Sequence, residues 1–107
     1  MRIKELSEKY NVDKRTIDYY TREGLLPYEP ENLINNYRQY YEESERILKR
    51  ILILREIGYS ISEVKEMLYS GESFSNERLE YCKAQLIKRR EEEISRIDKL
   101  IGYTYDI

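Results

Sequence analysis

The sequence predicts a mainly α chain: a winged helix-turn-helix domain over residues 1–72, then a long coiled-coil helix with a short tail over 73–107. Three observations carry this. Two short amphipathic segments follow one another near the start and close on helix-stopping residues. A stretch from Leu26 to Tyr41, with two prolines and three asparagines, interrupts the helical periodicity. Residues 77–101 then run without a glycine or proline.

In the first helix Ile3, Leu6 and Tyr10 recur at i, i+3 and i+7, and the segment ends near Asn11. The second helix is expected from Lys14 to Glu23. Asp13 is placed to accept hydrogen bonds from the free amides of its first turn. Val12 and Ile17 have the spacing of a hydrophobic staple. Gly24 suits a left-handed residue after the last turn, and Pro27 forbids resumption soon after. Lys14, Arg15, Thr16, Tyr19 and Arg22 offer donors, while Ile17 and Tyr20 share the opposite, core-facing side. A cationic helix of this kind, preceded by another short amphipathic one, points to a helix-turn-helix reader of duplex DNA.

Pro27, Pro30 and Asn35-Asn36 are turn chemistry. The flanking pieces Leu26–Tyr28 and Tyr37–Tyr40 are expected to pair as a two-stranded hairpin, a wing. Alternation puts Arg38 and Tyr40 on the face opposite Tyr37. Helical periodicity then returns: Ile47, Leu48, Ile51, Leu52, Leu54 and Ile57 form a broad stripe fit for the centre of a small core, and Gly58 ends it. Ser60-Ile61-Ser62-Glu63 has capping-box spacing, and Ile61, Val64, Met67 and Leu68 make one face of a fourth helix. Gly71 stops it, and Ser73-Phe74-Ser75-Asn76 reads as a hinge.

In the last helix, Glu77 to Ile101, the apolar positions are Leu79, Cys82, Leu86, Ile87, Ile94, Ile97 and Ile101, with a register shift around Arg90. At the usual rise it spans roughly 35–40 Å, more than a domain of this size needs. A narrow apolar seam under an acidic and basic outer face suggests pairing with a second copy. The alternative is a final helix folded back on its own core.

Composition narrows the functional classes. The chain has 107 residues, 37% of them charged, and a formal net charge of −2. Residues 1–75 carry 12 basic and 14 acidic side chains, so placement rather than net charge must support duplex binding. No run approaches the roughly 20 apolar residues that cross a bilayer, and the N-terminus alternates charge too soon for a signal peptide. The lone Cys82 excludes an internal disulfide framework and suits a reducing cytoplasm. With no histidine present, the commonest metal ligand and general base are missing. Neither a nucleophile–base pair nor a phosphate-cradling glycine loop is apparent, so an enzyme is not expected, nor is a cofactor or metal.

Taken together, Ile3, Leu6, Val12, Arg15-Thr16-Ile17, Tyr19-Tyr20, Glu23-Gly24-Leu25-Leu26-Pro27, Asn36-Tyr37-Arg38, Tyr40, Leu54-Arg55-Glu56-Ile57-Gly58-Tyr59-Ser60, Glu63, Val64 and Leu68 resemble the MerR family of bacterial transcription regulators, in order and in spacing. The resemblance is detailed over residues 2–70 and architectural over 76–101. It implies a homodimer whose long helices pair antiparallel and hold two winged domains over a near-palindromic double-stranded DNA site. It further implies deformation of a promoter, and thereby an effect on RNA polymerase through the DNA. Carried over by position, Arg15, Thr16 and Tyr19 fall on recognition-helix contacts, and Tyr37 and Arg38 on wing phosphate contacts. Lys14, Arg2 and Arg22 are backbone neighbours, and the apolar positions from Leu79 to Ile101 form the dimer interface.

Two departures stand out. Many members carry arginine before the tyrosine pair, where this chain has Asp18. Its carboxylate either pairs with Arg15 or Arg22 or accepts from a cytosine amino group. The sequence also ends about six residues after the long helix, so no inducer pocket is expected within it.

Three further features have plainer and sharper readings. Cys82, with Arg78 and Lys83 nearby, is either a thiol sensor or a small packed hydrophobe beside Leu79 and Leu86; one sulfur cannot complete an ordinary metal site. Among the 12 tyrosines, Tyr10, Tyr20 and Tyr59 are expected in the core, and those between Tyr37 and Tyr41 form the functional set. The Arg89–Glu93 run reads as a solvated face with helix ion pairs, the alternative being a surface for partner recognition. Two rival functions share the sequence: an architectural or excisionase-like DNA-binding protein of the same fold, and a protein-interaction module.

Overall fold

The computed structural model describes residues 1–69 and 76–105. Gly71, most of the expected hinge and the last two residues of the tail lie outside them. The chain divides into two compact units, Met1–Leu68 and Tyr69–Ile107.

The first unit holds α1 (Ile3–Tyr10), α2 (Lys14–Arg22), β1 (Glu29–Pro30), β2 (Arg38–Gln39), α3 (Glu42–Ile57) and most of α4 (Ile61–Tyr69). The turn between α1 and α2 works because Asn11 accepts a left-handed conformation, at φ 52°, that most side chains resist. Asp13 then caps α2 by accepting from the Arg15 amide at 3.1 Å. At the other end Gly24 is left-handed, at φ 77°, and donates to Thr21 while Leu25 donates to Tyr20. Those two reversed bonds form a Schellman motif. They turn the chain so that Leu25 and Leu26 enter the core.

That burial corrects the expected wing. Leu26–Tyr28 is not its first strand, because Leu26 is packed among the core side chains and Pro27 has no amide to donate. Pairing begins three residues later, antiparallel, with Glu29 opposite Gln39 and Pro30 opposite Arg38. One more rung, Glu31 N–H to the Tyr37 carbonyl, closes the hairpin at 2.9 Å.

The core is Leu6 from α1, Ile17 and Tyr20 from α2, Leu25, Leu26, Tyr40, then Ile47, Leu48, Ile51 and Leu54 from α3 with Val64 and Met67 from α4. The α3 stripe is therefore central, as its breadth implied. Ile57 departs from the expectation: it stands 37% exposed beyond the edge of that core. Gly58, at φ 112°, ends α3. The expected capping box of α4 is present in both directions, Ser60 N–H to Glu63 Oε1 at 2.9 Å and Glu63 N–H to Ser60 Oγ at 3.1 Å.

In the second unit α5 (Asn76–Tyr105) has 30 residues, longer at both ends than expected. It absorbs Asn76 and extends through Gly102 into the tail. At 100° per residue Leu79, Cys82, Leu86, Ile87, Ile94, Ile97 and Ile101 fall within an arc of about 140°. Cys82 and Leu86 are half-buried; the other five are exposed, Ile94 and Ile97 by more than half. Tyr81 and Leu100 are exposed apolar positions outside the expected seam, and Tyr103, at the start of the tail, is exposed as well.

Candidate nucleic-acid interface

On α2 the predicted two-sidedness holds. Ile17, Tyr20 and Thr21 face the core, while Lys14, Arg15, Tyr19 and Arg22 are exposed and Thr16 is partly so. Arg15, Thr16 and Tyr19 also line an open recess of about 370 Å³, completed by Tyr20, Arg55 and Ile61. The donors on this surface can reach phosphates or base edges without first breaking a tertiary contact.

The wing is fixed beside α2 by paired contacts. Thr21 Oγ1 and the Tyr40 hydroxyl are 2.8 Å apart and buried. One turn earlier on the same helix, Asp18 Oδ1 accepts from Arg38 Nη1 at 2.8 Å. Arg22 Nε lies 2.9 Å from the other carboxylate oxygen of Asp18. The expected Asp18–Arg22 pair is thus present and the Asp18–Arg15 alternative is not. Local spacing gave no sign of Arg38, which lies 20 residues away. Its guanidinium also stands 5.2 Å from the Tyr28 ring centre.

Tyr40 corrects the proposed functional tyrosines: it is 1% exposed and serves the core, whereas Tyr37 and Tyr41 remain exposed. Arg2, expected only as a backbone neighbour, forks onto Glu31 with two 2.8 Å hydrogen bonds. It also lies 4.1 Å over the Tyr37 ring. Tyr40 N–H donates to the Met1 carbonyl at 2.7 Å, so the segment before α1 ties both strands down. At the wing tip Asn32 Oδ1 accepts from the Ile34 and Asn35 amides, presenting Leu33 and Ile34 fully to solvent.

The ion pairs leave an electrostatic signature. Arg38 and then Arg22 hold the Asp18 carboxyl below its usual range. Arg2 does the same to Glu31, and Lys9 with the Tyr10 hydroxyl does it to Glu45. Burial opposes the charge on Arg38, but its bonds to Asp18 and Tyr40 outweigh that and raise its pKa. A carboxyl depressed in the folded state binds protons more readily when unfolded, so its contribution is complete above the unfolded value, near pH 4–4.5, and is lost as pH falls below it. The melting temperature is expected to be flat between about pH 7 and pH 5 and to fall below that window. Because these carboxylates are only partly buried and their partners reach solvent, raised salt should shrink the effect. Thermal denaturation scanned against pH at two ionic strengths measures both.

On α5, Arg90 Nη1 is 3.1 Å from Glu93 Oε2, a solvated pair of the kind expected there. Cys82 is a free thiol. No group of three or more histidine, cysteine or acidic residues that might hold a metal occurs among the described residues. None of the described helices is long and apolar enough to cross a membrane.

A capped, cation-bearing second helix with a hairpin hung beside it defines a winged helix-turn-helix DNA-binding domain. Residues 1–71 match the family model for MerR HTH family regulatory proteins. The chain belongs to the MerR family of transcription regulators. It is 32% identical over 105 residues to the mercuric resistance operon regulatory protein of Bacillus cereus, covering 94% of this chain and 79% of that one. The crystal structure of MtaN, the N-terminus of the Bacillus subtilis multidrug transporter activator, superposes with a TM-score of 0.75 at 26% identity, covering 97% of this chain and 96% of that one. HiNmlR, a MerR family regulator lacking the sensor domain and solved bound to promoter DNA, shares the fold at a TM-score of 0.60 and 23% identity, covering 97% of this chain and 87% of that one.

Proposed function

We propose that this chain acts in the cytoplasm as a homodimer, with α5 paired antiparallel against its copy and two winged domains on a near-palindromic operator. Residues 1–72 are the DNA-binding domain and 73–107 the dimerising part. Deformation of the promoter between the half-sites then carries the regulatory effect to RNA polymerase. One observation carries the duplex-binding assignment. Lys14 and Arg15 are exposed on α2 with no ion-pair partner among the described residues, whereas Arg2, Arg22 and Arg38 around them are each paired to a carboxylate. Unpaired cations at a helix start are available to release counterions from a duplex without a compensating loss.

Arg15, Thr16 and Tyr19 read or anchor in the groove, with Lys14 and Arg22 on adjoining phosphates. Tyr37 and Arg38 hold the flanking backbone. Leu79, Cys82, Leu86, Ile87, Ile94, Ile97 and Ile101 form the seam between copies, where Cys82 packs as a small apolar side chain.

Selection of duplexes from a random pool should recover two half-sites at a fixed separation near one helical turn or a multiple of it. Arg15→Ala is expected to weaken binding to the recovered duplex by about 1–3 kcal/mol and to relax preference at one base pair per half-site if the guanidinium reads a guanine. Affinity unchanged by that substitution would remove Arg15 from the interface. Transcription in vitro from a promoter bearing the recovered site separates a regulator from an architectural protein. Only the regulator changes initiation.

A further inference from the structure

We infer that Asp18 is a positioning residue for the DNA interface: by gripping Arg38 of the wing and Arg22 of α2 together, it sets the wing against the recognition helix in the geometry that a duplex requires. The inference deepens the duplex-binding reading and rests on it.

The wing needs such a device. Its two strands have only two residues each, and a hairpin that short has little stability of its own. Its orientation must come from the rest of the domain: the segment before α1 holds both strands from one side, and α2 meets the face that carries Arg38 and Tyr40. The structure supplies two rungs in matching register. Asp18 and Thr21 are three apart on the helix and so lie on one face. Arg38 and Tyr40 are two apart along an extended strand and so also share a face. Asp18 meets Arg38, and Thr21 meets Tyr40. Two rungs resist rotation of the hairpin about either one. The inner rung is buried; the outer is only partly so, with the Arg38 side chain 26% exposed.

A carboxylate on a surface meant for phosphates looks like a fault, since it repels them. The pairing changes the balance. Asp18 with Arg22 and Arg38 sums to one net positive charge, and Asp18 engages only one terminal nitrogen of Arg38. A guanidinium has five donors in a rigid fork, so those of Arg38 that Asp18 and Tyr40 do not engage stay available for a phosphate oxygen while its plane is held. Asp18 therefore exchanges bulk attraction for orientation.

These two roles differ in sign, which makes the inference testable. Asp18→Asn removes a negative charge. If Asp18 merely repels the backbone, affinity for the duplex that the unaltered chain selects from a random pool rises. If Asp18 positions Arg38, affinity falls by roughly tenfold, the scale of one charge-assisted hydrogen bond. The dependence of log K on log salt then becomes shallower by up to about 0.9 for each domain, roughly 1.8 for a dimer on two half-sites, as one phosphate contact per domain is loosened.

Asp18→Asn with Arg38→Gln is expected to bind no more weakly than Arg38→Gln alone, because both act on one contact. Asp18→Glu, which keeps a carboxylate within reach of Arg38, should recover most of the loss. Binding is compared below the onset of melting of every variant, so reduced folding cannot imitate the result. Unchanged or tighter binding by Asp18→Asn, or additive losses in the double variant, overturns the positioning role and leaves the duplex reading standing. Failure of the unaltered chain to select any duplex overturns both.

Discussion

Ile97→Glu is expected to leave the chain monomeric at micromolar concentration and to lower its affinity for a two-half-site duplex by about 10²–10⁴. Ile97 lies in the later part of the α5 seam and is 56% exposed on the single chain. In the proposed pair of α5 helices it would be covered, so the substituted carboxylate would have to be desolvated without a partner. Symmetry doubles the cost, since each copy brings the same charge. The large effect on DNA follows from linkage: once one domain is seated, the second binds at the high effective concentration that the paired helices impose. A monomer must bind each half-site separately. Ile97→Leu, which keeps the apolar volume, is expected to remain dimeric. Sedimentation and titration against duplexes with one and two half-sites measure these outcomes. A dimeric Ile97→Glu variant with undiminished affinity would place the pairing surface elsewhere.

The elements readable from sequence are those written in local chemistry. Asp13 as a cap, Gly24 and Gly58 as stops, and the reciprocal Ser60–Glu63 bonds act within a few residues of one another. Their spacing carries their geometry. The wing register was not readable in this way. Leu26 has the pattern of a strand residue, but its position is decided by a core of side chains from α1, α2, α3 and α4, which no window around it contains. Tyr40 is a similar case. Its neighbours Tyr37 and Tyr41 are exposed, whereas its own hydroxyl is satisfied inside the domain by Thr21, 19 residues earlier on α2, a partner that no local spacing announces.

The candidate site divides along the same line. Which residues of α2 face outward follows from helical period and needed no tertiary information. Which of its cations are free did not follow, because Arg2, Arg22 and Arg38 are occupied by Glu31 and Asp18. Two of those three pairs join segments that lie far apart in sequence. A count of lysines and arginines therefore overstates the charge this surface can offer a phosphate. The same count hides that the pairs fix the wing, which a free cation would not do.

Leu48→Ala is expected to destabilise the first unit by about 2–5 kcal/mol. Leu48 is fully buried on α3, in the stripe with Ile47, Ile51 and Leu54. Truncation removes three carbons from the middle of a small core, and the structure around them is expected to relax only partly into the gap. Small domains have only about 5–15 kcal/mol in all, so the loss takes up much of the margin. Because α2 and the wing both rest on this core, DNA binding should fail as temperature rises although no contact residue has changed. At low temperature, where the variant is still folded, affinity should return close to that of the unaltered chain, and excess duplex should raise the melting temperature by mass action. Leu48→Met, which nearly conserves volume, should cost less than about 1.5 kcal/mol. Calorimetry with and without duplex measures each term. A Leu48→Ala chain that melts normally would mean that α3 is not the centre of the core.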